Sequence, residues 1–215
     1  MKTDAHKLDR TLSLIAGFYD GCKVGYQGFE GYRKSTDLFK FIECAKELEA
    51  RQLIDRQATI LLDLGCADGR VNVLMSYFVK MSIGIEVDCD ILNDYQIHTK
   101  ELNFGLNQAG LDTLPDNVSL FTGNLLEEDV FHEIKEYTGV KLEEVDLFYT
   151  YNAMHYAFAE RIMTRAKSGA LYLVYGFNRI LPRYDGFELL IPDVASREIF
   201  TLYRKKPDSL ARQIC

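Results

Sequence analysis

No stretch of this sequence stays apolar long enough to cross a bilayer: the longest runs, such as Ala170 to Tyr175, fall far short of the ~20 residues a spanning helix needs. The N-terminus, Met1-Lys2-Thr3-Asp4-Ala5-His6-Lys7, lacks the apolar core of a signal peptide, so a cytoplasmic protein is expected. The five cysteines (Cys22, Cys44, Cys66, Cys89, Cys215) form an odd, scattered set with no C-x-x-C pair. That argues against a disulfide framework and against a zinc site; reduced thiols and no metal are expected. Positive charge is also short. A formal net charge of -7 gives none of the broad positive field that nonspecific binding to a phosphate backbone needs, which disfavours nucleic acid as a substrate. A basic substrate suits such a field better. Internal repeats and low-complexity segments are absent.

What is present fits a single α/β domain, for which 215 residues suffice and two domains of ordinary size would not fit. Its organising stretch is Thr59-Ile60-Leu61-Leu62-Asp63-Leu64-Gly65-Cys66-Ala67-Asp68-Gly69-Arg70, an apolar run, a glycine-punctuated turn and then a helical segment, Val71 to Val79. A β-rich run passing through small residues directly into a helix opens a parallel α/β unit, whose ligand lies across the strand's carboxyl end. Gly65 and Gly69 permit positive φ and close approach of backbone to ligand, and the helix start offers free N–H groups. Asp63 stands before the turn. A carboxylate there would repel a pyrophosphate but suits an ammonium or sulfonium charge.

Here the sequence resembles the class I S-adenosylmethionine-dependent methyltransferases. Their first motif, D/E-x-G-x-G-x-G, stands as Asp63-Leu64-Gly65-Cys66-Ala67-Asp68-Gly69, with Ala67 in the middle glycine's place. The nicotinamide fingerprint G-x-G-x-x-G does not fit. The resemblance implies S-adenosyl-L-methionine as cofactor, held by Asp63, Gly65, Cys66, Ala67 and Gly69. Met81 to Asp88 reads as the next strand, with Glu86 placed 23 positions after Asp63, where a carboxylate can accept bonds from both ribose hydroxyls of an adenosine; Val87 adjoins it. Asp88 is either a ligand or the cap of the helix Asp90 to Asn107, in which His98 is expected at the solvated surface. After the short strand Val118 to Thr122 the family often places an Asp for the adenine amino group. Asn124 stands there instead and keeps an acceptor oxygen, with Leu125 as apolar contact to the ring.

Before the motif, residues 1–34 hold a helix, Lys7 to Phe18, and a stretch alternating Gly17, Gly21, Gly25, Gly28 and Gly31 with Phe18, Tyr19, Tyr26, Phe29 and Tyr32. That composition suits a loop more than a strand or helix. It is either a lid over cofactor and substrate or an arm packed on the core. Ser35, Thr36 and Asp37 cap an amphipathic helix to about Ile54. The segment Tyr32 to Asp37 resembles the one that lines the cofactor in non-SET lysine methyltransferases, which brings in Tyr32 and Thr36, against the alternative of a helix cap touching no ligand.

After the helix Glu127 to Tyr137, a fourth strand, Val145 to Tyr151, ends at Asn152 and is followed by the helix Ala153 to Ala166. First and fourth strands flank the point where a doubly wound sheet reverses, so Tyr151, Asn152, His155 and Tyr156 are the candidates for substrate contact, with His155 as a base or a residue without chemical duty. A fifth strand, Ala170 to Phe177, a loop, Asn178 to Gly186, and two strands, Phe187 to Ile191 and Ile199 to Arg204, complete the chain, with Arg204-Lys205-Lys206 taken as solvated. The expected fold is α/β, a doubly wound, mostly parallel seven-strand sheet with a C-terminal antiparallel hairpin and helices on both faces. The expected organisation is an N-terminal element over 1–34, a methyltransferase domain over 35–206 and a tail over 207–215. The expected activity is methyl transfer to a protein side chain, lysine-like, or to a small molecule. The alternative is a catalytically silent cofactor-binding partner subunit.

Overall fold

The computed structural model describes residues 2–28 and 31–207; Phe29, Cys215 and the rest of the tail from 208 onward lie outside them. Helix α1 (Lys2–Gly21) leads into a two-stranded antiparallel hairpin, β1 (Val24–Gly28) and β2 (Gly31–Arg33), and then α2 (Leu38–Ala50). Asp37 starts α2, its side chain accepting from the Lys40 N–H at 3.1 Å. Strand and helix then alternate: β3 (Ile60–Leu64), α3 (Arg70–Met75), β4 (Met81–Glu86), α4 (Cys89–Gln108), β5 (Val118–Thr122), α5 (Asp129–Thr138), β6 (Leu147–Tyr151), α6 (His155–Arg165) and β7 (Leu171–Tyr175). The last two strands are β8 (Phe187–Ile191) and β9 (Phe200–Lys205).

Seven strands make one sheet in the order β5-β4-β3-β6-β7-β9-β8. Neighbours from β5 to β7 are parallel, and β9 runs antiparallel to both β7 and β8. This is the expected mixed sheet with its antiparallel C-terminal part. The chain winds outward from β3 to β5 and then returns to β6, so the order reverses between β3 and β6. Both faces of the central strands are apolar because helices cover both. Leu61 and Tyr149 pack with Phe41 of α2 and the buried Phe78 on one face, while Leu62, Leu64 and Phe148 meet Phe131 of α5 and Phe158 of α6 on the other. Leu12, Ile15 and Tyr19 of α1 are fully enclosed in the first of these cores.

Three expectations fail. Among its described residues the segment 17–34 is mostly regular: α1 continues to Gly21, and residues 24–28 and 31–33 pair as β1 and β2. Packing of Phe18 and Tyr19 edge-on against His98 outweighs the roughly 1 kcal/mol that a helical glycine costs. The helix expected over Val71 to Val79 ends at Met75, and residues 76–80 turn to deliver Phe78 into the core before β4 begins. Lys205 is not solvated: it belongs to β9, is only 3% exposed and donates to the Ala166 carbonyl, whereas the Arg204 side chain, 38% exposed, and Lys206 do face solvent.

Candidate functional site

The turn after β3 is built from backbone that only small residues tolerate. Gly65, Ala67 and Gly69 all have positive φ (91°, 50° and 74°). At Gly69 a Cβ would also stand 2.6 Å from a Leu120 methyl and 2.9 Å from the Tyr95 ring, whereas at Gly65 it would meet nothing within 4 Å. Gly69 is therefore required by packing and φ, and Gly65 by φ alone, facing open space. The Gly65 and Cys66 N–H groups both donate to the Ile85 carbonyl, at 3.0 and 2.9 Å, which holds the turn against β4. Helix α3 has only six residues, and the first of the free N–H groups expected at its start, that of Arg70, is taken by Asp68 Oδ1 at 3.3 Å.

Asp63 and Glu86 lie on the same face of the sheet, since Asp63 is in register with Gly84, two residues before Glu86. Asp63 is 2% exposed and its Oδ1 has no hydrogen-bond partner. Burial, then the charges of Glu86 and Asp68, hold its carboxyl well above the usual range. The neighbouring Cys66 thiol is pushed up by burial and then by Asp63, Glu86 and Asp68. Glu86 is engaged: Oε2 accepts from the Ala67 N–H at 3.0 Å, and Oε1 from the Asp88 N–H at 3.1 Å and Arg33 Nη1 at 3.5 Å. Asp88 caps α4 through the Asp90 and Ile91 N–H groups.

A cleft of about 670 Å³ opens beside these groups, within the range that takes a cofactor-sized molecule. It brings together Gly65, Ala67, Glu86, Val87, Asn124 and Leu125 with Tyr151 and Asn152 from the end of β6. Asp63 and Cys66 lie buried behind the turn, and Gly69 serves as the cap of α3. The Asn124 side chain makes a turn of its own, Oδ1 accepting from the Leu126 N–H and Nδ2 donating to Glu127. Thr150 Oγ1 donates to the Leu64 carbonyl at 3.1 Å, tying β6 to the end of β3 across the switch point.

No protein-family model matches the chain, and no curated protein matches it. Solved structures do. A putative methyltransferase, yhhF from Escherichia coli, is 15% identical over 82% of this chain and 89% of that one, with a TM-score of 0.50. A mutant of MtNAS is 12% identical over 93% and 71%, with a TM-score of 0.53. An RNA methyltransferase from Salinibacter ruber, complexed with S-adenosyl-L-homocysteine, is 20% identical over 77% and 91%, with a TM-score of 0.47. The chain has the class I S-adenosylmethionine-dependent methyltransferase fold.

Within this methyltransferase fold, Tyr32, Thr36, His155 and Tyr156, all expected at the site, do not line the cleft. Tyr32 and Thr36 border a second cavity of about 460 Å³, and the buried Thr36 hydroxyl is bonded to the Tyr149 hydroxyl. His155 lies in an aromatic nest: its Nδ1 is 2.7 Å from the Tyr184 hydroxyl and its ring packs on Tyr156 and Phe177. Burial there lowers its pKa. It is a packed histidine and not part of the cleft wall.

His98 corrects a further expectation. Its side chain is only 14% exposed, with Nδ1 3.5 Å from Asp68 Oδ2. Asp68 in turn forms a buried ion pair with Arg70, at 2.9 Å to Nε and 2.8 Å to Nη2. The Arg70 guanidinium also donates to the Tyr19 and Cys22 carbonyls and to Ser35 Oγ, and lies over the Tyr19 ring. The motif's own loop thus anchors the N-terminal segment. Sequence reading missed this and missed Arg33. The one available signal was a lone charged run, Arg33-Lys34, at the end of an aromatic and glycine-rich stretch.

Proposed function

We propose that this chain transfers the methyl group of S-adenosylmethionine to a protein side chain, lysine-like, or to a small molecule. The observation that supports it best is the pair of carboxylates, Asp63 and Glu86, on one face at adjacent strand ends beside a cleft of about 670 Å³. The residues suit the cofactor. Asp63, behind the turn, carries a buried oxygen without a donor, an acceptor that the N–H groups of an ammonium would satisfy. Glu86 supplies acceptors for a ribose diol, and Val87, Leu125 and Leu126 give apolar contact to a purine ring.

The bound cofactor supplies an activated methyl on a sulfonium. The protein's part is to hold the acceptor in line, about 3 Å from the reacting carbon, and to keep water out, and positioning alone can lower the barrier by ~7 to 11 kcal/mol. We assign this role to Tyr151 and Asn152, which line the cleft at the end of β6. Burial raises the Tyr151 hydroxyl pKa, so it stays a neutral donor and acceptor. With His155 turned into its aromatic nest, a lysine-like amine sheds its proton to water before binding. Turnover on such an acceptor is therefore expected to rise with pH toward the amine's own pKa.

The test is formation of S-adenosylhomocysteine when the purified chain and S-adenosylmethionine are given protein and metabolite fractions of a cell extract separately. Product in one fraction identifies the acceptor class. Cofactor binding without product in either would favour the silent partner-subunit reading.

A further inference from the structure

The β1–β2 hairpin is held at two places. At its root, the buried Arg70 guanidinium donates to the Cys22 carbonyl just before β1, at 3.4 Å, and to Ser35 Oγ just after β2, at 2.9 Å. Across the cleft, Arg33 reaches Glu86 at 3.5 Å and Asp88 at 3.4 Å. Val24, Arg33 and Lys34 stand in the walls of both the 670 Å³ cleft and the 460 Å³ cavity, so the hairpin partitions one chamber from the other. Tyr26 is 76% exposed, and Gly25, at φ 66°, rests against the end of Ile91. A lone two-stranded hairpin is marginal by itself.

The Glu86 carboxylate has about four acceptor positions, three of them taken by two backbone N–H groups and the half-exposed Arg33 guanidinium, so a diol donating two bonds displaces one of these donors. The backbone groups belong to the turn and to the start of α4 and have no reason to leave. The Arg33 side chain is 49% exposed and its contacts are long, so it is the donor that can be exchanged at small cost.

We infer that the β1–β2 hairpin is a flap latched across the cleft by Arg33, and that the ribose diol of an adenosyl ligand competes with Arg33 for the Glu86 carboxylate. This rests on the proposed cofactor site and adds its regulation: entry is governed by an ion pair that salt weakens. The hinge is the Arg70-bound root, and the partition between the two cavities moves with the flap.

The test uses adenosine, which is uncharged, so its own binding carries no salt dependence. Calorimetric titration is done on the wild-type chain and on Arg33→Met, and amide hydrogen exchange is followed over the hairpin. Arg33→Met is expected to bind adenosine about two- to fivefold more tightly and to exchange faster at residues 24–28 and 31–33. Raising salt to about 1 M, where the Debye length falls to about 3 Å, should reproduce both effects in the wild type and leave the variant unmoved. Equal or weaker affinity in Arg33→Met would overturn the competition, and unchanged exchange in both the variant and high salt would overturn the latch. Failure of both proteins to bind adenosine would overturn the cofactor site itself, and the competition with it.

Discussion

Asp63 is the residue least comfortable in its surroundings, a carboxyl enclosed with an unpaired oxygen between two other acids. With its folded pKa raised, the folded chain keeps a proton that the unfolded chain gives up near pH 4. Stability is thus full below that pH and falls as pH rises through the elevated value. Asp63→Asn removes this titration, so its melting temperature relative to the wild type should climb between acid and neutral pH, as scanning calorimetry would show. A parallel pH response in the two proteins would count against the buried acid. On the proposed cofactor site, capture of an ammonium by Asp63 would also release that proton. Binding enthalpies of S-adenosylhomocysteine should accordingly vary with the ionisation enthalpy of the buffer in the wild type and not in Asp63→Asn. Arg70 is the opposite case, a buried charge with every partner in place. Arg70→Met leaves Asp68 uncompensated and should cost about 3 to 5 kcal/mol in urea unfolding, with Asp68→Asn/Arg70→Met costing clearly less than the sum of its parts.

Among the elements, β3, β4, β6 and β7 were legible because strands covered on both faces are written as apolar runs, as in Leu147-Phe148-Tyr149. The amphipathic spacing of Leu38, Phe41, Ile42, Ala45 and Leu48 likewise marked α2. The hairpin was not legible. Its glycines break alternation, and it pairs only with itself, so neither burial nor register leaves a pattern in the residues. His98 was misplaced for a related reason: its polar neighbours along α4 say nothing of Phe18 and Tyr19, about eighty positions away, which cover it. Helix α1 contributes to the main core through Leu12, Ile15 and Tyr19. Leu12→Ala is therefore expected to destabilise the whole chain by about 2 to 5 kcal/mol in urea unfolding. A change within a few tenths of that scale's lower noise, near zero, would mean that α1 is only loosely attached.

At the scale of the molecule, the reversal of strand order between β3 and β6 gathers the site. It puts the turn after β3, the acid at the tip of β4 and the Tyr151-Asn152 end of β6 around one opening. The motif's spacing was enough to find the first two, because their chemistry is carried by residues close along the chain. The wall and its latch depend on contacts between residues 19, 33, 35, 70 and 86, which only the folded chain brings together. The most direct measurement is calorimetric titration of S-adenosylhomocysteine into the wild-type chain and into Glu86→Ala, with circular dichroism to establish that the variant is folded. Saturable binding by the wild type, weakened about 10- to 100-fold in a folded Glu86→Ala, is the expected result. No binding by the wild type, or undiminished binding by the variant, would contradict the assignment of this cleft.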